Sequence, residues 1–177
     1  MLPTLTTKGN CVMTEPKRAL TMTGLTAMAT EVGTESGPGA TTKNFNRLLI
    51  EEFRANAGVI DGELRNANFI LLTTIGAKSG APRTTPLVFH RIEGRLIVIA
   101  STGGGPRNPA WFENLVAEPS VTVELGADTW QGRAMVLSGA DRDAVFAAVV
   151  ASVPTFGQYQ ARTSRTIPVV ELLPAGS

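Results

Sequence analysis

Apolar positions along this chain follow two rhythms, and the changes between them mark out its elements. In 41–58, TTKNFNRLLIEEFRANAG, the residues Phe45, Leu48, Leu49, Ile50 and Phe53 recur at helical spacing, and Gly58 stops the run. NFILLTTIG, 68–76, is short, apolar and threonine-bearing, which predicts a strand. TTPLVFHRIEGRLIVIAST, 84–102, predicts a hairpin turning at Glu93-Gly94. RNPAWFENLVAEP, 107–119, predicts a short helix with Asn108 as its cap, Pro109 in its first turn and Pro119 beyond its end. SVTVELGADTWQGRAMVLS, 120–138, predicts a second hairpin around Gly126-Ala127-Asp128. GADRDAVFAAVVASVP, 139–154, predicts an amphipathic helix with Asp141 as N-cap and Pro154 as its stop. RTIPVVELLP, 165–174, predicts a last strand, with Pro168 at its start or near a sheet edge.

The predicted order is helix, about three strands, short helix, two strands, helix, strand. Hairpins dominate it, so the sheet should be mainly antiparallel. Crossovers are too few for a doubly wound parallel sheet. The expected fold is mainly β (α+β): a small barrel with helices packed around it or over its mouth. Residues 1–40 are rich in Thr, Gly, Ser and Met and lack either periodicity, so they are expected to form a flexible tail, with 41–177 as the folded domain. A surface-docking tail is the alternative.

Composition narrows the function classes. Sixteen Lys and Arg against 15 Asp and Glu leave a formal net charge of +1, so no broad basic field suggests nucleic acid. One cysteine, Cys11, excludes an intramolecular disulfide and a cysteine metal cluster, and one histidine, His90, excludes a multi-histidine metal site. No apolar run reaches the length of a membrane span. A cytoplasmic location is expected, with peripheral contact at the inner membrane face left open.

Two stretches carry candidate chemistry. GAKSGAPRTTP, 76–86, places Lys78 and Arg83 among hydroxyls and glycines, in a region with no carboxylate from Leu64 to Ile92. A point charge, a planar guanidinium fork and the hydroxyls of Ser79, Thr84 and Thr85 make an anion cradle. The plain alternative is a solvated basic loop between strands. It is not a Walker A loop, since the required glycine spacing before Lys78 is missing. ASTGGGPRNPAWFEN, 100–114, has three consecutive glycines after a strand, which implies positive φ or close approach, and Trp111 adds a large flat face that could equally be core. His90 sits in an alternating strand, where a solvent-facing or pocket-facing role is preferred to a Ser-His-Asp site. The residues read as a barrel binding an elongated anionic ligand with a flat ring, where the ligand brings the chemistry.

Together, LLTTIGAKSGAPRTTPLV, IVIASTGGGPRNPAWFENL and YQARTSRTIPVVEL resemble the deazaflavin-dependent nitroreductase and quinone reductase family, over about Phe45 to Leu173. The resemblance implies a split β-barrel of the FMN-binding oxidase type that binds coenzyme F420, a deazaflavin with a phospholactyl-oligoglutamate tail. It implies that Lys78 and Arg83 hold the anionic tail, with Ala77, Ser79, Thr84, Thr85, Pro86, Leu87 and Val88 lining its path. It implies that Ile99, Ala100, Ser101 and Thr102, with Ala110, Trp111, Phe112, Glu113 and Asn114, flank the ring. The implied reaction is hydride transfer from the reduced deazaflavin to a small electron-poor acceptor: a quinone, conjugated enone or nitroaromatic. Tyr159 or Ser101 is the expected hydrogen-bond donor to the acceptor, and Phe156 and Tyr159 the expected acceptor-binding side chains, on a mobile connection at 154–160. Two departures bear on the acceptor: Phe112-Glu113 stands where the family often has Tyr-His, and Phe156 where some members have tyrosine. A non-catalytic deazaflavin carrier and an FMN-binding relative are the alternatives.

Overall fold

The structure, a computed structural model, describes residues 38–176. The expected tail falls outside these residues apart from 38–40, which belong to the first helix. The elements are α1 (Pro38–Ala55), β1 (Phe69–Ile75), β2 (Pro82–Ile92), β3 (Arg95–Ile99), α2 (Ala110–Ala117), β4 (Ser120–Leu125), β5 (Asp128–Val136), α3 (Gly139–Ser152), α4 (Thr155–Ala161) and β6 (Val169–Pro174), with single 3-10 turns at Gly62–Leu64 and Thr102–Gly104. The six strands close into an antiparallel barrel in the order β1-β2-β3-β6-β5-β4. The mainly β split barrel expected from the sequence is the fold observed.

Why several strands read as unbroken apolar runs follows from their two-sided burial. Ile70 and Leu72 of β1, Leu96 and Val98 of β3 and Val170 and Leu172 of β6 face one shared interior cluster. The alternate residues face outward but stay covered. Phe69 and Leu71 pack under α1 with Leu49 and Phe53. Ile97, Ile99 and Val169 pack under α3 with Val145, Phe146 and Val149. A strand sandwiched between core and helix has no polar face to show. Helix α2 places Trp111, Phe112 and Leu115 in the interior cluster, so it caps the barrel.

Ion pairs fasten the outside. Arg95 of β3 reaches Glu171 of β6 at 2.7 Å and Asp141 of α3 at 2.8 Å. Asp141 was expected as a helix cap; Ser138 holds that position, and Asp141 sits in the first turn, where its carboxylate is taken by Arg95. Gly58 ends α1 as expected, at φ +88°, and a Cβ there would lie 2.5 Å from Gly126 Cα in the β4–β5 turn. Strand β2 starts at Pro82, two residues earlier than its apolar pattern suggested. Residues 82–88 pair only with β1, and β3 takes over from Phe89. Proline is tolerated at 82 and 86 because the outer edge of that half-strand has no partner strand among the described residues.

Candidate active site

The free edge of β2 opens a cavity of about 550 Å³, within the range that takes a cofactor-sized ligand. Six consecutive residues, Thr85 to His90, line it. Successive strand residues point to opposite faces, so only a strand exposed along its edge can present all of them to one space. The facing wall is Ile99, Ser101, Thr102, Pro109 and Trp111; Asn46 of α1 and the Asn66–Asn68 segment close one side; Val153, Thr155, Phe156 and Tyr159 form the roof.

No lysine, arginine or carboxylate is among these lining residues. Three of them carry buried polar atoms with no hydrogen-bond partner among the described residues: Asn46 Oδ1, His90 Nε2 and Thr102 Oγ1. Such atoms cost free energy unless something meets them. Burial holds the His90 imidazole below its ordinary pKa, with no charged neighbour contributing.

The roof is α4. The stretch expected as a mobile connection, 154–160, is a short helix with both aromatic rings turned inward. Phe156 stands perpendicular to His90 at 5.2 Å and to Tyr159 at 5.8 Å. Gln160 ties α4 down: its Oε1 accepts from Ile167 N at 2.9 Å and Arg142 Nη2 at 3.2 Å, and its Nε2 donates to Arg165 O at 2.8 Å. Gly104 lies under the helix at φ +82°, and a Cβ there would sit 2.6 Å from Tyr159 O. The glycine run therefore serves close approach of two backbones, with positive φ at Gly103 and Gly104.

Behind the wall lies Arg165. Its guanidinium donates to Gly105 O at 2.9 Å, Asn108 Oδ1 at 2.7 Å, Ala100 O at 3.1 Å and Ser101 O at 2.8 Å. Asn108, expected to cap α2, instead accepts this bond, and Pro109 occupies the cap position. Among the described residues no carboxylate pairs with Arg165, and burial lowers its pKa. It is a fixed cation that sets the course of 100–108.

At the other end of the free edge is the β1–β2 turn. Gly80 N donates to Gly76 O at 2.7 Å and Gly76 N to Ala81 O at 2.9 Å, so the turn closes on itself. Asn114 of α2 pins it: Ala77 N donates to Asn114 Oδ1 at 3.0 Å, and Asn114 Nδ2 donates to Thr74 Oγ1 at 3.1 Å. Ser79 Oγ accepts from Ala81 N, and Thr84 Oγ1 meets Thr73 Oγ1 at 2.8 Å. Lys78 and Arg83 project from this frame, exposed. Arg83 shares a strand face with the cavity-lining Thr85.

The expected site residues are thus distributed as follows. Thr85, Pro86, Leu87, Val88, Ile99, Ser101, Thr102, Trp111, Phe156 and Tyr159 meet in the cavity. Ala77, Lys78, Ser79, Arg83 and Thr84 lie beyond it on the hairpin. Ala100 and Phe112 are buried in the barrel cluster, Ala110 and Glu113 face solvent, and Asn114 is spent on the hairpin turn. Sequence reasoning missed Asn46, Asn66 and Asn68, which carry no local signal, and Arg165, which sits inside a quoted motif without a role assigned. Among the described residues no group of three or more His, Cys, Asp or Glu is placed to hold a metal, and no helix is long and apolar enough to cross a membrane.

A closed barrel with one half-strand edge left open, an uncharged cavity along that edge and exposed cations at its outer end defines the split-barrel class of fold. Within that class the chain belongs to the F420H(2)-dependent quinone reductase family, whose profile matches residues 45–174. It is 38% identical over 106 residues to the F420H(2)-dependent quinone reductase of Mycobacterium tuberculosis, covering 58% of this chain and 71% of that protein. A solved F420-H2 dependent reductase is 36% identical, with a TM-score of 0.54 over 59% of this chain and 93% of its own. Another solved relative, described as a domain-swapped dimer, is 31% identical, with a TM-score of 0.57 over 75% and 96% of the two chains.

Proposed function

We propose that this protein reduces quinones with coenzyme F420, holding the ring system in the cavity and the anionic tail along the β1–β2 hairpin. The observation that carries this reading is the family match over 45–174, which spans both the cavity and the two unpaired cations beside it. The residues fit the cofactor. Buried Asn46 Oδ1 and Thr102 Oγ1 offer partners to a polar ring edge, Trp111 and Pro86 offer flat apolar surface, and Lys78 and Arg83 offer charge-assisted contacts to phosphate and carboxylate.

The bound reduced deazaflavin supplies the hydride. The chain's own contribution is placement and exclusion. Phe156 and the aliphatic wall would keep water from the reacting faces, and the cavity lined by Thr85 to His90 and Trp111 would orient the acceptor relative to the ring. The hydroxyls of Ser101 and Tyr159 are the donors proposed for the acceptor oxygen, where negative charge develops as the hydride arrives. The completing proton comes from solvent.

The test is a fluorescence titration of the protein with coenzyme F420 and, separately, with FMN, followed by turnover of 2-methyl-1,4-naphthoquinone, an enone and a nitroaromatic with the reduced coenzyme. Tight binding of coenzyme F420 with quinone turnover is expected. Preference for FMN, or coenzyme binding without turnover of any acceptor, overturns the reading.

A further inference from the structure

His90 is the single histidine of the chain and the one titratable side chain besides Tyr159 that lines the cavity. It comes from β2 just where the strand leaves its free edge and joins β3 through the His90–Ile97 pair. That pairing fixes its backbone, and the perpendicular ring of Phe156 fixes its imidazole from the roof side at 5.2 Å. Nε2 is buried and has no hydrogen-bond partner among the described residues, although it belongs to a residue of the cavity wall. A histidine that only packed against Phe156 would gain nothing from carrying a polar atom there, since a buried unpaired nitrogen costs roughly 1–3 kcal/mol.

We propose that His90 is an acceptor-binding residue, whose neutral imidazole donates a hydrogen bond from Nε2 to a carbonyl oxygen of the quinone under the Phe156–Tyr159 roof. The proposal rests on the quinone reductase reading and deepens it. Phe156 brings no hydroxyl to the roof, and His90, in contact with that ring, supplies a donor on the same side of the cavity. Burial keeps the ring uncharged, and no Asp, Glu, Lys or Arg from α1, α4 or the 99–111 wall lines the cavity to alter that.

The role is donation and not proton delivery. A neutral imidazole that lost its Nε2 proton would become an imidazolate, which is inaccessible at ordinary pH. The hydrogen bond is therefore made and kept, and solvent protonates the reduced oxygen. The bond strengthens as the oxygen gains charge, so its loss should appear in kcat/KM.

The single histidine makes the test direct. The full chain, labelled with 15N-histidine and loaded with oxidised coenzyme F420, is titrated with 2-methyl-1,4-naphthoquinone; with the oxidised coenzyme no turnover intervenes. The imidazole should be neutral with its proton on Nε2, and that signal should shift saturably with quinone. In steady state, His90→Phe keeps the packing and should lower kcat/KM about 3- to 10-fold, the loss of one neutral hydrogen bond. His90→Gln keeps an N–H donor and should recover most of it. A signal that stays still at quinone concentrations saturating turnover overturns the proposal, as does His90→Phe matching the parent. A kcat/KM that falls as pH rises through the histidine range, and is flat in His90→Gln, would make the ring an acid and overturn donation by the neutral form. If the parent binds no coenzyme F420 or reduces no quinone, the functional reading itself fails; a mute histidine in an active parent defeats only this inference.

Discussion

At the hairpin end of the free edge, residues 76–83 form one continuous stretch, closed by its own backbone bonds and pinned by Asn114. At the roofed end, α1, β2, the 99–105 loop and α4 supply the wall, and Arg165, Gln160 and Arg142 lock two of those segments together. The hairpin presents cations and needs little help to hold its shape. The roofed end presents uncharged groups, and its shape rests on a cation hidden behind the wall. Charge points outward at one end and faces the protein's own carbonyls at the other. Substitutions at the two ends should therefore fail in different measurements.

The largest effect belongs to Arg165→Ala. It strips donors from the carbonyls of Ala100, Ser101 and Gly105 and from Asn108 Oδ1. Charge-assisted bonds to partly buried acceptors make a loss of about 2–4 kcal/mol in unfolding free energy the expected outcome. Arg165→Lys keeps a charge but not the fork, and should recover only part. Urea denaturation decides it: a loss under about 1 kcal/mol would mean that the 100–108 loop holds itself.

Next come Lys78→Ala and Arg83→Ala. Each should weaken coenzyme F420 binding by about ten- to a hundred-fold while moving unfolding free energy by less than about 0.5 kcal/mol. The binding loss should shrink as salt rises, because exposed charges are screened. Parent-like affinity in both variants would remove the hairpin from the site, and a stability loss matching that of Arg165→Ala would erase the contrast between the ends.

Gly104→Ala is smaller and probes the seam between loop and roof. The new methyl must meet Tyr159 O at 2.6 Å in a backbone at φ +82°. Strain of about 1–2 kcal/mol is expected, relieved by lifting α4. Hydrogen exchange should rise in 155–161 and leave 76–83 unchanged. Equal protection in the two proteins would show that the seam yields without moving the helix.

The same contrast explains what the sequence made legible. The hairpin is local, so its cations, hydroxyls and glycines were visible as one string. The Glu93-Gly94 turn was equally visible, both residues lying at positive φ. The start of β2 was hidden because Pro82 argues against a strand, and only the missing neighbour on one edge admits it. Helix α4 was hidden because seven residues around Gly157 have weak helical preference, and Gln160 supplies the hold from outside. Asp141 and Asn108 sit at sequence positions proper to caps, yet long-range arginines claim both side chains. The roofed wall draws on segments more than a hundred residues apart, from Asn46 to Tyr159, and no spacing rule joins them.

The smallest effect separates the ends by pH. In the folded chain burial lowers the His90 pKa, while in the unfolded chain the ring titrates near its ordinary value of about 6.5. Between those two values the unfolded state binds a proton that the folded state refuses, so acid favours unfolding there. The stability linked to His90 is complete above about pH 6.5 and falls as pH drops toward the folded value. No other histidine shares that window. Asp141, held below the usual carboxylate range by its hydrogen bond to Arg95, loses its contribution only at lower pH. Unfolding free energy of the parent should therefore decline through mild acid, and His90→Gln should flatten that decline without altering the steeper loss below it. The Lys78→Ala and Arg83→Ala variants should keep the parent's curve. If His90→Gln keeps it too, the imidazole is solvated in the folded chain, and the roofed end is open to water in a way its buried Nε2 contradicts.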